Sequence, residues 1–152
     1  MKPSSRFDYA LRALVDLALH QDASPVTVGS IARRQKIPPR YLEQLFNRLR
    51  RQGLVIAERG PRGGYRLSRP ASEIAVHSIF QSLEQPVKHS PQRWDPSSKK
   101  DGFNQADPTT SLWRQIEVAV ETTLQATTLE NLVAQAREQL PLPIRHRFTF
   151  HI

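Results

Sequence analysis

Basic side chains are concentrated in one quarter of the sequence, between residues 33 and 69. This stretch holds eleven basic residues against two acidic ones, Glu43 and Glu58, a net charge of +9, whereas the whole 152-residue chain carries +8. Ten of the eleven are arginine, whose planar fork of N–H donors suits phosphate oxygens and guanine edges. The pattern favours binding of a polyanion, above all a nucleic acid; the alternative is a solvated face that only keeps the protein soluble. The basic residues are Arg33, Arg34, Lys36, Arg40, Arg48, Arg50, Arg51, Arg59, Arg62, Arg66 and Arg69.

The elements that position these arginines are predicted from apolar spacing and from stop signals. Apolar residues that recur at intervals of three and four predict helices with one buried stripe each. Thr27 can cap the second helix, proline is tolerated in the first turn of the third, and Gly53 is its expected left-handed stop. Two β-prone runs around a glycine-rich turn then predict a β-hairpin with a basic tip. The predicted elements are a helix over Phe7 to Leu19, a helix from Thr27 to about Gln35, a helix that starts at Pro38-Pro39 and stops before Gly53, strands at Leu54 to Glu58 and Tyr65 to Leu67, and a helix over about His77 to Gln85.

Two short helices joined by a tight turn and followed by such a hairpin describe a winged helix-turn-helix. In this arrangement the second short helix enters the major groove of DNA. The expected fold class is therefore mainly α, with a small β-hairpin wing. The predicted buried side of the third helix is Leu42, Leu45, Phe46 and Leu49, and the positions left for DNA are Arg40, Glu43, Gln44, Asn47 and Arg51.

The side chains available to DNA differ in their expected partners. Arg40 and Gln44 lie one turn apart near the start of the third helix, and Arg and Gln are bidentate readers of guanine and adenine. Glu43 either accepts from cytosine and repels other sequences, or is a surface carboxylate paired with an arginine. The residues expected at phosphates are Arg48, Arg50 and Arg51, and those expected in a neighbouring minor groove are Arg59 and Arg62.

The second half of the sequence is predicted to be a loop followed by a helical arm. Prolines, serines and alternating charges over residues 86–108 predict a loop, and loops of this length are usually functional or disordered. Helical spacing returns from Thr109 to Glu138, and Thr127-Thr128-Leu129-Glu130 has the form of a new cap and capping box, so we expect a long helix and a shorter one. We expect a DNA-binding domain over 1–85, a sensory or regulatory loop over 86–108, dimerisation helices over 109–138 and a tail over 139–152.

Trp113 on the predicted long helix is either a core residue or the anchor of a dimer interface. The apolar stripe of that helix would leave a large apolar surface on a monomer, which favours the dimer. Two recognition helices in a dimer address successive major grooves and require a palindromic site. The residues expected at the dimer interface are Leu112, Trp113, Ile116, Val120 and Leu124.

Several short segments together carry a family resemblance. They are Asp8-Tyr9-Ala10-Leu11-Arg12-Ala13-Leu14, Tyr41-Leu42-Glu43-Gln44-Leu45, Gly53-Leu54-Val55, Arg59-Gly60-Pro61-Arg62-Gly63-Gly64-Tyr65, Leu112-Trp113 and Thr128-Leu129-Glu130-Asn131-Leu132. Over most of residues 6–138 the chain resembles the Rrf-two (Rrf2) family of bacterial transcription regulators. The resemblance implies a homodimeric winged-helix repressor or activator whose long C-terminal helices cross at the dyad, with Tyr41, Glu43 and Gln44 at DNA-reading positions and Arg59 at the minor-groove position. The full set of residues expected to contact double-stranded DNA is Pro39, Arg40, Tyr41, Glu43, Gln44, Arg48, Arg51, Arg59, Gly60, Pro61 and Arg62.

Many members of this family sense through an iron–sulfur cluster held by three cysteines in the loop before the long helix. This chain contains no cysteine, and its loop supplies no soft sulfur ligand. His89, Asp95, Asp101 and Asp107 lack the tight spacing of a metal site. We therefore expect no metal and no cofactor, and we expect the loop to be a candidate site for a small-molecule or protein effector.

Membrane and enzyme functions are not indicated. No run of roughly 20 apolar residues exists, and Asp8 and Arg12 interrupt any apolar stretch near the start, so we expect a cytoplasmic protein. No nucleophile elbow, HExxH helix or phosphate loop frames the Ser, His and Asp residues, so we expect no enzyme. The alternative function is a winged-helix adaptor that binds protein and not DNA, although loss of DNA would remove the reason for the basic stretch.

Overall fold

The computed structural model describes residues 4–84 and 108–139. It is mainly helical, with one antiparallel hairpin, as the sequence predicts. The helices and strands expected before residue 86 are confirmed, and so is the division of the C-terminal segment into two helices. Apart from Pro108 and Gln139, the predicted loop and tail lie outside the described residues. The elements are α1 (Ser5–His20), α2 (Val28–Gln35), α3 (Pro39–Arg51), β1 (Val55–Glu58), β2 (Gly64–Leu67), a 3-10 turn (Ala71–Glu73), α4 (Val76–Glu84), α5 (Pro108–Ala126) and α6 (Leu129–Gln139).

Helix α1 is the centre of the hydrophobic core. It packs against α2, α3, α4, α6 and β2. Its apolar stripe includes Leu14 and Leu17, which are fully buried, and burial of such a side chain stabilises the fold by about 2 kcal/mol relative to exposure. At the start of α1, the ring of Phe7 meets Phe80 of α4 edge to face, with centroids 5.3 Å apart. The core therefore holds the two short helices of the helix-turn-helix in place from one side.

Helix α6 belongs to the same core, although more than forty residues separate it in sequence from α4. Leu129 and Val133 are fully buried among the residues of the N-terminal elements. The backbone of the segment before α4 joins the start of α6, because Leu129 N–H donates to the Ile74 carbonyl (2.8 Å) and Val76 N–H donates to the Thr127 carbonyl (2.9 Å). The described part of the chain thus has one core, to which α5 adds a mostly exposed rod.

The cap of α6 forms one residue later than the sequence pattern predicts. The backbone N–H of Thr128 donates to Asn131 Oδ1 (2.8 Å), and Asn131 N–H donates back to Thr128 Oγ1 (3.3 Å). Asn131 therefore completes the capping box instead of Glu130, because the short amide side chain reaches the same donor that Glu or Gln usually reaches.

Candidate nucleic-acid interface

The start of α3 is fixed by the turn that follows α2. Lys36 adopts a left-handed conformation (φ 55°), and Ile37 N–H donates to the Ala32 carbonyl (3.1 Å), which ends α2. Pro39 occupies the first position of α3, where its fixed φ is preorganised for the helix and no donor is lost. The tight turn sets α3 across α2, the arrangement of a helix-turn-helix.

Helix α3 separates a buried side from a side turned fully away from the core. The predicted buried residues, Leu42, Leu45, Phe46 and Leu49, are at most 2% exposed. At about 100° per residue, four other positions fall within roughly 60° of one another, opposite that side. The side chains of all four are exposed and make no hydrogen bond or ion pair with any described residue. We call them the outer row: Arg40, Gln44, Asn47 and Arg51.

The flanks of α3 hold the other residues expected at DNA. Tyr41 is half-buried, and its ring meets Tyr9 of α1 edge to face at 5.8 Å. Arg48 is exposed, but one of its amino groups donates to the carbonyl of Leu83 near the end of α4 (3.2 Å). Glu43 is exposed and forms no ion pair with a described residue, so the alternative in which it pairs with an arginine is not observed among the described residues. Pro39 is exposed at the start of the helix.

The tip of the hairpin presents the predicted wing residues. Arg59, Gly60, Pro61 and Arg62 are all exposed. Gly60 has a φ of 120°, a conformation open to glycine but strained for other residues, and its carbonyl accepts from Gly63 N–H (2.9 Å). The turn therefore projects both arginines beyond the end of the two strands.

Contacts at the base of the wing fix it against α3. The ring of Tyr65 in β2 packs against Phe46 of α3, with centroids 4.9 Å apart. On its other edge β2 pairs with Val26, through Val26 N–H to the Tyr65 carbonyl (2.9 Å) and Tyr65 N–H to the Val26 carbonyl (2.8 Å). A Cβ on Gly64 would lie 2.6 Å from the Val26 carbonyl oxygen, so glycine permits this close approach. The base of the wing is thus held against α3 and Val26.

The basic stretch divides into cations that are engaged in the fold and cations that are not. Four make internal bonds: Arg34 to Asp16, Arg48 to Leu83, Arg66 to Glu58 and Gln21, and Arg69 to Glu73. The other seven are exposed and have no partner within the described part of the chain. These unpartnered cations are Arg33, Lys36, Arg40, Arg50, Arg51, Arg59 and Arg62.

The ion pair between Asp16 and Arg34 is a feature that sequence reasoning missed. Asp16 on α1 is 2% exposed, and both of its oxygens accept from Arg34 of α2 at 2.6–3.0 Å, while Gln35 Nε2 donates to Oδ2 (2.8 Å). The hydrogen bond and the charge of Asp16 raise the pKa of Arg34 above the ordinary arginine value. The partners are eighteen residues apart, and no local spacing signals such a pair. Arg34 is therefore a structural residue rather than one of the unpartnered cations.

Helix α5 carries the residues expected at a dimer interface. Leu112, Trp113 and Val120 are 54%, 59% and 37% exposed, which excludes Trp113 from the core of this chain. Ile116 is half-buried, and Leu124 is half-buried against the chain's own core. Among the nineteen residues of α5, only Thr110 is buried.

The structure has three features of a DNA-binding winged helix-turn-helix protein. They are a recognition helix whose outer row is exposed and without a described partner, a tight turn before that helix and a β-hairpin wing beside it. The sequence model of one family, described as "Rrf2: Iron-dependent Transcriptional regulator", matches residues 3–135. The chain belongs to the Rrf2 family of transcriptional regulators, which is not an enzyme family.

Named relatives agree with this membership. The chain is 39% identical over 137 residues to the putative HTH-type transcriptional regulator slr0846 of Synechocystis sp., which covers 90% of each chain. The structure of the present chain is similar to that of IscR from T. potens, with a TM-score of 0.74, 33% identity and 94% of each chain covered. It is also similar to CymR, the global cysteine regulator of B. subtilis, with a TM-score of 0.72, 32% identity, and 89% and 98% of the two chains covered.

The donor set of this chain does not fit a cysteine-held iron–sulfur cluster, although the family description is iron-dependent. The sequence contains no cysteine, and such clusters need thiolate ligands. Within residues 4–84 and 108–139, no group of three or more His, Asp or Glu side chains is placed to hold a metal ion. His89, Asp95, Asp101 and Asp107 lie outside the described residues. No helix in the described ranges is both long and apolar enough to span a membrane.

Proposed function

We propose that the protein is a cytoplasmic regulator of transcription that binds a palindromic operator as a homodimer, and that it does so without a cysteine-ligated iron–sulfur cluster. The observation that carries the proposal is the outer row of α3: four exposed side chains with polar or charged ends, none of them used by the described fold. The exposed wing arginines and the other unpartnered cations extend this surface.

Each part of the surface has a distinct role in the proposed complex. Arg40 reads a guanine and Gln44 an adenine at base edges, while Glu43 accepts from a cytosine. Arg51 contacts phosphate, and Arg48 does so with the N–H donors that its bond to Leu83 leaves free. Tyr41 lies at a DNA-reading position beside Glu43 and Gln44. The residues at the helix start and in the wing that lie against the DNA backbone and minor groove are Pro39, Arg59, Gly60, Pro61 and Arg62.

A second copy of the chain is the proposed partner of α5. The apolar stripe of α5 is left largely exposed to solvent by the rest of the chain, so a partner is needed to bury it; its residues are Leu112, Trp113, Ile116 and Val120. Aromatic anchors such as Trp113 are typical of dimer interfaces. Leu124 lies at the edge of that stripe. A dimer of this type places its recognition helices about 34–36 Å apart, one turn of DNA, so the operator is twofold symmetric.

The absence of thiolate ligands separates this protein from a cluster-based sensor. We place the contact with a small-molecule or protein effector in residues 86–108 on sequence grounds, because this segment occupies the position of the cluster loop in the family. The described residues contribute no part of that segment apart from Pro108.

The experiment that tests the proposal is selection of bound duplexes from a random pool, followed by titration of variants on the selected site. Arg40→Ala and Gln44→Ala are each expected to lose preference at one base pair of each half-site, at a cost of about 1–3 kcal/mol, because a bidentate contact disappears. Arg51→Ala is expected to weaken binding to all sequences and to make the salt dependence of binding shallower by about one for each phosphate that the side chain neutralises.

Arg114→Ala is the matched control, because Arg114 is an exposed arginine of α5 with no described partner. It removes the same charge from outside the proposed surface and should leave preference and salt dependence unchanged. Equal losses on selected and random duplexes for Arg40, Gln44 and Arg51 variants would contradict the assignment of base readers. An adaptor that does not bind DNA predicts no salt-sensitive retention on any duplex.

A further inference from the structure

Asn47 is the one member of the outer row that is neither a cation nor assigned above. It is exposed on α3, three residues after Gln44 and four before Arg51, and its amide makes no hydrogen bond with any described residue. We propose that Asn47 is a further specificity-determining residue, which reads an adenine in the major groove; the role rests on the proposed function.

The chemistry of the side chain favours a base over a phosphate. A carboxamide offers a donor and an acceptor side by side, which complements the N6 donor and N7 acceptor of adenine. It carries no charge and adds little to the attraction of phosphates, for which the unpartnered Arg50 and Arg51 lie close by in sequence. Opposite any other base, the amide would lose its hydrogen bonds to water without forming new ones. The resulting cost in binding free energy disfavours the other bases.

The spacing along α3 assigns Asn47 to a base pair of its own. At 1.5 Å per residue, Asn47 lies about 4.5 Å along the helix from Gln44 and about 10 Å from Arg40. Successive base pairs are separated by about 3.4 Å, so side chains with these offsets meet different pairs. The adenine selected by Asn47 therefore lies one or two steps beyond the pair read by Gln44, on the side away from the pair read by Arg40.

The test compares the duplexes selected by the full chain with those selected by Asn47→Ala. Alanine keeps the helix intact because its helix propensity is higher than that of asparagine. The expected result is loss of one adenine preference in each half-site, with the other preferred positions kept. On the wild-type site, the variant should bind about 5- to 150-fold more weakly, and replacement of that adenine should no longer matter to it.

Gln52→Ala is the matched control, since Gln52 is an exposed amide next to the end of α3 but outside the outer row. It should select the wild-type sequence. An unchanged selection by Asn47→Ala, or an equal loss of affinity for every duplex, would overturn the role of Asn47 while the wild-type selection still supports the proposed function. A wild-type chain that selects no sequence would overturn both.

Discussion

The pair formed by Asp16 and Arg34 shows how one residue of a basic stretch is withdrawn from DNA. The Asp16 carboxylate is buried, so it depends on the charge of Arg34 for compensation and on Arg34 and Gln35 for hydrogen bonds. Because the pKa of Arg34 is raised, the arginine contributes stability at every pH below its ordinary pKa, and this contribution is lost only when the pH rises through the higher folded-state pKa. The charge of Arg34 is therefore constant throughout the neutral and acidic range.

Arg34→Ala is predicted to lower the stability of the protein, whereas Arg33→Ala is predicted to weaken DNA binding with little effect on stability. The first leaves a buried carboxylate with only part of its hydrogen bonds, and we expect a loss of about 2 kcal/mol in the free energy of unfolding. Arg33 is its exposed neighbour without a described partner, so its replacement should change stability by less than about 0.5 kcal/mol but weaken DNA binding. Urea unfolding and fluorescence anisotropy measure the two quantities. Equal stabilities of the two variants would be inconsistent with the pairing.

The exposure of a side chain was predictable from the sequence where it depends on the period of one helix. The exposed positions Arg40, Gln44 and Asn47 follow from the period of α3 alone. The bond from Arg48 to Leu83 and that from Arg66 to Glu58 join different elements, and no local pattern reports on such contacts. Net charge therefore overstates the number of arginines that are free for DNA.

At the scale of elements, the wing depends on a close approach that only glycine allows. Gly64 lies against the backbone of Val26, and a Cβ there would be 2.6 Å from the carbonyl oxygen. Gly29 in α2 has no atom within 4 Å of the position of a Cβ. The two glycines therefore respond differently to the same added methyl group.

Gly64→Ala is predicted to destabilise the protein by about 1–3 kcal/mol, because the backbone of the Val26 bridge must shift to relieve the overlap. Gly29→Ala should instead stabilise it by about 0.5–1 kcal/mol, as expected for alanine in a helix. Thermal unfolding measures both, and DNA titration should show weaker binding for the Gly64 variant alone. A Gly64 variant as stable as the Gly29 variant would mean that the wing does not depend on this contact.

Most elements were predictable because their signals are local. Thr27, Pro39 and Gly53 mark the ends of α2 and α3 through caps, proline tolerance and a left-handed stop. The placement of α6 in the N-terminal core was not predictable, since it depends on backbone pairing between segments distant in sequence. The capping box uses Asn131 rather than the predicted Glu130. Several side chains in this segment can cap a helix, and the backbone geometry at the start of α6 decides which of them does so.

At the scale of the whole molecule, α5 presents two exposed sides that differ in composition. Trp113 and Val118 are 59% and 57% exposed. Because they are five positions apart and each residue turns the helix by about 100°, their side chains lie on different sides of α5. The side of α5 that carries Trp113 is apolar and also holds Leu112, Ile116 and Val120. The side that carries Val118 is polar, with neighbours such as Gln115 and Thr122.

Trp113→Glu is predicted to raise the dissociation constant of the proposed dimer by at least about 30-fold, because an aromatic anchor that the partner buries is worth about 2 kcal/mol or more in an interface. Val118→Glu introduces the same charge at nearly the same exposure and should leave the dimer intact. Light scattering after size-exclusion chromatography gives the mass of each variant. A dimer that survives in the Trp113 variant, or is lost equally in both, would exclude the Trp113 stripe as the interface.

The division of α3 into a buried side and the outer row has an evolutionary consequence. In the proposed complex, mutations at the four outer-row positions would alter which operators are bound without changing the buried residues that keep the domain folded. Duplicated genes of this design would therefore diverge in their target genes rapidly, while purifying selection on the interior stays the same.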